Sequence, residues 1–352
     1  KGLVEDVICG IVTPVKEQGS NLPRLALLKA GYPVTVPAVQ LNRMCGSGQQ
    51  AVHFAAQGIE SGDNEVVIGC GVELMSVCQM GADADPALFS MDPTKQLKFA
   101  PFPHKLVHQG YSADIIAEKY GITRQQLDDF SIESHRRCFE ANKNGVFKSQ
   151  ILPVKVKKDD REVWFTQDEG VRYPVDKEKM SQLKTIFRKN GFITAANASQ
   201  ISDGAAAVLL MSGSKADELG LKKRARIVAK RTVGCDPVMM LDGVIPATHA
   251  VLKKAKMSID EIDVFEVNEA FASVVLAWQK TFNVPLSKIN PNGGAIAHGH
   301  PLGASGAVLI TKLVNELERT NKRYGLVTMC IGHGQSVALI IENCSYKPSP
   351  SL

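Results

Sequence analysis

Apolar positions along this chain follow two alternating rhythms. Short runs with strand character occur at residues 5–10, 34–41, 65–71, 205–211, 226–229, 263–267, 326–332 and 336–342. Between them lie stretches whose apolar residues recur at helical spacing, at residues 49–59, 113–142, 269–280 and 306–317. Alternation of this kind predicts a layered α/β architecture.

Two stretches share one pattern. The first runs from a turn at Asn42 and Cys45 through Ser47-Gly48, an amphipathic helix, and a strand ending Gly69-Cys70-Gly71. The second runs from Asn290 and His300 through Ser305-Gly306, a helix, and a strand ending Cys330-Ile331-Gly332. An internal repeat is the simplest account. It places Cys45 and His300 at equivalent turns, facing each other across a pseudo-twofold axis. Residues 77–201 do not continue the repeat. They hold Pro86, Pro93, Pro101 and Pro103, then a helical segment, then a lysine-rich stretch, and read as an inserted subdomain. The predicted division is 1–76 plus 202–220 for the first half, 77–201 for the insertion and 221–352 for the second half.

Composition narrows the classes. The chain has 352 residues, 44% hydrophobic and 22% charged, which is ordinary for a globular protein of two or three domains. Net charge is +5 with no long basic stripe interleaved with aromatics, which argues against nucleic acid. The basic clusters at residues 155–158 and 222–226 read as solvated surface, with one or two charges open to a phosphate-bearing ligand. Eight cysteines without a CxxC pair fit free thiols in a reducing compartment, and the cytoplasm is the expected location. No apolar run reaches membrane-spanning length. The first residue is Lys1, so a targeting segment could lie upstream, and Pro350-Ser351-Leu352 lacks the basic residue of a peroxisomal address.

Four segments carry candidate chemistry. Cys45 lies on a glycine turn at a helix N-terminus, where unpaired N–H groups and the helix dipole favour a reactive thiolate; the alternative is a small buried apolar residue. Asn268 follows a strand and opens Asn268-Glu269-Ala270-Phe271-Ala272; its amide suits holding a water or an oxyanion, and the alternative is a helix cap. His300 sits in a glycine-dense turn with Pro301, held so that it can take a thiol proton and then donate to an oxyanion. Cys330, at a strand end beside glycine N–H groups, suits proton transfer; the alternative is a core thiol.

In order, Asn42-x-x-Cys45-Gly46-Ser47-Gly48, Asn268-Glu269-Ala270-Phe271, Gly299-His300-Pro301-x-Gly303-x-Ser305-Gly306 and Cys330-x-Gly332 resemble the motifs of the thiolase family, and the resemblance covers essentially the whole chain. Met211-Ser212, Thr232-Val233-Gly234 and Asn197-Ala198-Ser199 followed by Asp203-Gly204 are similar to thiolase segments too. The resemblance implies a duplicated five-layered α-β-α-β-α core with an inserted loop domain. It implies an acyltransferase that cleaves 3-ketoacyl-CoA with coenzyme A, or condenses acetyl-CoA in reverse. Cys45 would be the acylated nucleophile, His300 its activator, Asn268 the holder of an oxyanion-hole water and Cys330 the second acid/base. The N–H groups of Cys45 and Gly332 would form a second oxyanion hole. Ser199, Arg172, Ser181, Ala270 and Phe271 would bind CoA, which is a substrate. No permanent cofactor or metal is implied, and a homodimer or homotetramer is.

Three departures from the family pattern stand out. His333 replaces a usual glycine and His298 a usual apolar residue, which leaves open a metal reading through His298, His300, His333 and Cys330. His108-Gln109-Gly110 stands where short-chain biosynthetic members have His-Met-Gly, and Tyr111-Ser112-Ala113-Asp114 is closer to degradative members. This points to an acyl group other than plain acetyl. The family's opening strand and helix precede the segment matching residues 4–10, so their absence here should leave backbone groups of the first sheet needing partners. Alternatives are a ketosynthase-type condensing enzyme and an inactive, lipid-binding relative; a papain-like protease leaves the duplication unexplained.

Overall fold

The computed structural model describes residues 1–84, 104 and 106–348. Pro86, Pro93, Pro101, Pro103 and the terminal Pro350-Ser351-Leu352 lie outside the described residues. In chain order the elements are β1 (Asp6–Gly10), α1 (Leu22–Lys29), β2 (Ala38–Leu41), α2 (Ser47–Ser61), β3 (Val66–Leu74), α3 (Gln109–Lys119), α4 (Arg124–Lys143), β4 (Val154–Lys158), β5 (Arg161–Phe165), α5 (Lys177–Ser181), β6 (Asp203–Met211), α6 (Gly213–Glu218), β7 (Ala225–Gly234), α7 (Val244–Ala255), β8 (Val264–Val267), α8 (Ala272–Phe282), α9 (Ala295–His298), α10 (Leu302–Thr320), β9 (Tyr324–Ile331) and β10 (Gln335–Asn343).

Two sheets follow one plan. The first has the order β2-β1-β3-β6 and the second β7-β10-β9-β8. In the first, β1 is parallel to β2 and β3, and β6 runs antiparallel to β3. In the second, β8 is parallel to β9, β9 antiparallel to β10, and a bridge from Phe265 to Ile289 extends the β8 edge. Thus β1, α2, β3 and β6 recur as β8, α10, β9 and β10, which is the expected duplication. The second sheet continues past β10 into β7. Among the described residues no strand flanks β6 in the corresponding place, and Leu209 on β6 is 55% exposed.

The repeated helices α2 and α10 cross between the sheets, and glycine permits the approach. A Cβ on Gly306 would stand 2.1 Å from the Gln49 nitrogen, and one on Gly48 2.6 Å from Gly303 O. The same face of α10 buries Leu309, Ile310, Leu313 and Leu317 against Val52, Val327 and Leu339. Each such side chain stabilises the layer by about 2 kcal/mol. Outside, α1 covers the first sheet through Leu27 against Val7 and Val36, while the second sheet's outer cluster includes Trp278 and Phe265. The five layers are therefore helix, sheet, helix pair, sheet, helices.

Three expectations about elements are revised. The helical stretch at 113–142 is two helices, because Gly121 is left-handed (φ +57°) and Thr123 opens α4 with a capping box to Gln126. The run at 34–41 is a strand only over Ala38–Leu41, with Val34 76% exposed ahead of it. The lysine-rich stretch contains the hairpin β4–β5, paired from Val154↔Phe165 to Lys158↔Arg161 and solvent-exposed along both strands.

Candidate active site

Cys45 sits on a sharp turn between β2 and α2. Met44 before it is left-handed at φ 45°, an uncommon conformation for a non-glycine residue. Asn42 Oδ1 accepts the Met44 N–H at 2.7 Å, and Asn42 Nδ2 donates to Val12 O at 2.8 Å. Ser47 Oγ accepts from the Arg43 N–H and donates to Met44 O, closing the turn from the other side. The thiol is buried among Val12, Met75, Leu302, Met329, Ile331 and Val337.

Burial pushes the Cys45 thiol up to about 11, against hydrogen bonds from the Gln109 side chain and from the N–H groups of Cys45 and Gly332 that pull it down. This corrects the expectation of a lowered pKa. The helix start supplies N–H groups, but loss of water outweighs them, so the resting thiol is protonated and needs a base. The Cys45 and Gly332 N–H groups converge on Sγ, as the second oxyanion hole requires. A Cβ at Gly332 would lie 2.8 Å from both Gln109 Nε2 and Met44 Sδ, so the position admits only glycine without rearrangement.

His300 is also buried. The Ser305 hydroxyl donates to Pro301 O at 2.9 Å, so it accepts from His300 Nδ1–H at 2.6 Å. That fixes the proton on Nδ1 and leaves the Nε2 lone pair facing Asn268 Nδ2, at 3.3 Å. Burial pulls the ring down to about 4, so it is neutral and free to accept a proton at neutral pH. No hydrogen bond joins His300 to Cys45 Sγ in this structure. Asn268 is not a helix cap, since α8 begins at Ala272 with Phe271 at its N-cap. Its Oδ1 is buried with no protein partner, which suits an amide that orients a water or an oxyanion.

Cys330, next to last in β9, is 1% exposed, and both burial and the nearby Cys45 push its thiol up. Cys45 acts electrostatically on Cys330, so the cysteines of the two halves lie near each other. Ser199 lies against the Asn268 motif: its N–H donates to Ala270 O at 3.0 Å, and Ala198 bridges Phe271. Ser199, Ala270 and Phe271 are therefore brought together. Arg172 is exposed, its backbone N–H held by His135 Nδ1, and Ser181 Oγ is tied to Glu178 O of its own helix. No contact joins these two to the cysteine cluster.

His298 is engaged elsewhere. Its Nε2 faces the buried Lys312 ammonium at 3.5 Å, so Nδ1–H donates to Gly299 O. Among the described residues no group of three His, Cys, Asp or Glu side chains is placed to hold a metal ion. His333 takes the left-handed conformation (φ 61°) that suits the family's glycine.

Sequence reasoning missed the contacts of three residues. The buried Glu73 carboxylate accepts from the N–H groups of Val12, Thr13 and Gly303 and from Gln18 Nε2. The buried Glu269 accepts from Ser134 Oγ, Asn290 Nδ2 and the Ile296 N–H, bracing the loop that leads to His300. Gln109 reaches Cys45 Sγ. Acidic residues inside apolar runs, Glu73 after Val72 and Glu269 before Ala270, were the available signal for the first two.

Known proteins resemble this chain over nearly its whole length. Residues 1–214 match the family model described as "Thiolase, N-terminal domain", and residues 221–343 match "Thiolase, C-terminal domain". A steroid 3-ketoacyl-CoA thiolase of Mycobacterium tuberculosis is 43% identical over 343 residues, covering 96% of this chain and 83% of that protein. An acetyl-CoA acetyltransferase of Chromobacterium violaceum is 42% identical over 346 residues, covering 96% and 88%. The crystal structure of human mitochondrial 3-ketoacyl-CoA thiolase superposes with a TM-score of 0.86 at 33% identity, covering 97% of this chain and 88% of that one. With both halves matched and relatives above 40% identical covering 96% of the chain, the chain belongs to the thiolase family.

Proposed function

We propose that this chain is an acetyl-CoA C-acyltransferase, cleaving 3-ketoacyl-CoA with free coenzyme A and running the reverse condensation, through an acyl group carried on Cys45. The observation that carries the reading is the occurrence in one chain of two neighbouring buried thiols, Cys45 and Cys330, and a neutral His300 whose Nε2 accepts from the Asn268 amide. The names borne by the relatives support it.

In the forward direction the Cys45 proton passes to His300 Nε2 as Sγ bonds to the 3-keto carbon. The C2–C3 bond then breaks, and its electron pair forms the enolate of acetyl-CoA. Nε2–H of the now protonated His300, with an Asn268-held water, stabilises the enolate oxygen. Cys330 gives its proton to C2 and becomes a thiolate. A second CoA thiol attacks the Cys45 thioester and passes its proton to Cys330. The tetrahedral oxyanion rests on the Cys45 and Gly332 N–H groups. Collapse releases acyl-CoA, and Cys45 recovers its proton from His300.

CoA is a substrate here, and the chemistry asks for no permanent cofactor. Ser199, Ala270 and Phe271 line the approach to Asn268, and the exposed Arg172 and Ser181 are assigned to the nucleotide end. The Gln109 substitution and the Tyr111–Asp114 segment favour acyl groups longer than acetyl. The half-exposed apolar side chains of Leu25, Leu28 and Val39 on α1 and the edge strand β2 support a homodimer or homotetramer. Eight free cysteines fit a reducing compartment, the cytoplasm. No described helix is long and apolar enough to cross a membrane. The test is a ladder of 3-ketoacyl-CoAs assayed for free-CoA-dependent cleavage. Turnover of carrier-bound substrate only would favour a ketosynthase, and no turnover would favour an inactive lipid-binding relative.

A further inference from the structure

We propose that Gln109 is a catalytic residue of this enzyme: its side-chain N–H donates a hydrogen bond to Cys45 Sγ and steadies the negative charge that develops there. The inference rests on the thiolase reading and adds a side-chain donor to the two backbone N–H groups at the nucleophile.

The contact is Gln109 Nε2 to Cys45 Sγ at 4.0 Å, within reach for a sulfur acceptor. Nε2 also stands 2.8 Å from where a Cβ of Gly332 would be, so the amide lies over the Cys45–Gly332 pair. Its placement is built in. Gln109 is the first residue of α3, between two anchored neighbours. On one side, the His108 ring stacks on Phe187 with centroids 4.9 Å apart, and its Nδ1 accepts the Gly110 N–H at 3.1 Å. On the other, Gly110 presses so closely on Phe187 that a Cβ would fall 2.1 Å from the ring. One turn on, Ser112 Oγ donates to Met239 O. A long, rotamer-rich side chain is thereby given a fixed root, and its amide is aimed into the pocket.

The surroundings make this donor matter. The charged group of a neighbouring element that acts on Cys45 is Glu73, near the end of β3, and it disfavours a thiolate. Arg43 is turned away, its guanidinium bonded to Gln335 Oε1 at 2.8 Å. His300 is neutral and bonded to Asn268 and Ser305. Among the described residues, Gln109 is thus the polar side chain that offers Sγ a hydrogen-bond donor. Methionine, the residue of short-chain biosynthetic members here, has a similar length and no N–H.

The test is the alkylation rate of Cys45 by iodoacetamide, followed on the Cys45 peptide by mass spectrometry between about pH 6 and pH 10. Gln109→Met keeps the size and removes the donor; Gln109→Glu keeps the shape and adds a charge. The expected order of rates is wild type, then Gln109→Met slower by about three- to tenfold, then Gln109→Glu slower still, with each pH profile displaced upward. Matching profiles, or Gln109→Glu as fast as wild type, would overturn the proposal. Cys138, fully buried on α4, reports folding in the same digest by staying unlabelled. Should Gln109→Met expose it, the isosteric Gln109→Glu decides. Acylation of wild-type Cys45 by a 3-ketoacyl-CoA is measured alongside. Its failure would sink the thiolase reading, whereas success with indifferent Gln109 profiles would sink only this inference.

Discussion

The Glu73 carboxylate accepts the backbone N–H of Gly303 at 2.8 Å, joining the end of β3 to the first turn of α10, just after His300, across 230 residues of sequence. The same carboxylate holds the Val12 and Thr13 N–H groups, at 2.9 and 3.1 Å, in the loop to which Asn42 is tied. One buried side chain therefore sets the spacing between the nucleophile turn and the histidine turn.

Glu73→Gln turns one acceptor oxygen into an NH2 facing N–H donors. The expected outcome is a loss of about 1–3 kcal/mol in stability, since buried donors lose their partner. A fall in kcat should accompany it, with little change in the KM for CoA. Urea titration and steady-state kinetics check both parts. Unchanged stability would mean that the loops hold their spacing without it.

Asn268→Asp tests the hydrogen bond between Asn268 Nδ2 and His300 Nε2. A carboxylate there favours the charged imidazole, so the His300 pKa rises from its depressed value of about 4. The acid limb of the kcat/KM profile should move toward neutral pH, and activity at pH 7 should fall by about 10²- to 10⁴-fold. A profile with an unmoved acid limb would separate Asn268 from the titration of His300.

Stability should fall on mild acidification. Burial holds His53 and His298 down to about 3, and His135 and His300 down to about 4, all below an unfolded value of about 6.5. Between those limits the unfolded chain binds more protons. The stabilisation is thus complete above pH ~6.5 and is lost as pH falls, each histidine contributing up to about 1.4 kcal/mol per pH unit. Buried carboxyls oppose them, because burial pushes Glu266 up to about 7 despite Lys312 and also raises Glu269, Asp114, Asp168 and Asp6, whereas His108 and His333, lowered by burial, add to the decline. Chemical denaturation between pH 7.5 and 5 should show a net decline; a flat profile would contradict the buried neutral state of these rings.

The candidate site positions drew notice in the sequence because each is announced by its neighbours. Cys45 and His300 sit on glycine turns whose glycines are needed for close approach, and Asn268 and Cys330 lie at the ends of apolar strands. What was not legible depends on tertiary approach. Glu73 meets Gly303 and Gln109 meets Cys45 only after the halves and the insertion have packed. The Cys45 pKa was misjudged for the same reason, since the helix start is local and the burial that outweighs it is not. The β4–β5 hairpin was missed because both strands are exposed, so no buried face imprints a pattern on Lys155, Lys157 and Trp164.

Cys330→Ser separates the two thiols. The variant should still take an acyl group onto Cys45 from an acyl-CoA, while cleavage and condensation of the carbon–carbon bond fall by about 10²- to 10⁴-fold. Because Cys330 also exchanges the CoA proton in acyl transfer, that step should slow, but by far less; an equal loss in both steps would contradict the separation.

The most direct measurement is rapid quench of the protein with a 3-ketoacyl-CoA in the absence of free CoA, followed by mass spectrometry of the Cys45 peptide. The account predicts the mass of the shortened acyl group on that peptide, its removal by added CoA and its absence in Cys45→Ser. An unmodified Cys45 peptide in a preparation that turns the substrate over, or an acyl group on another cysteine, would contradict it.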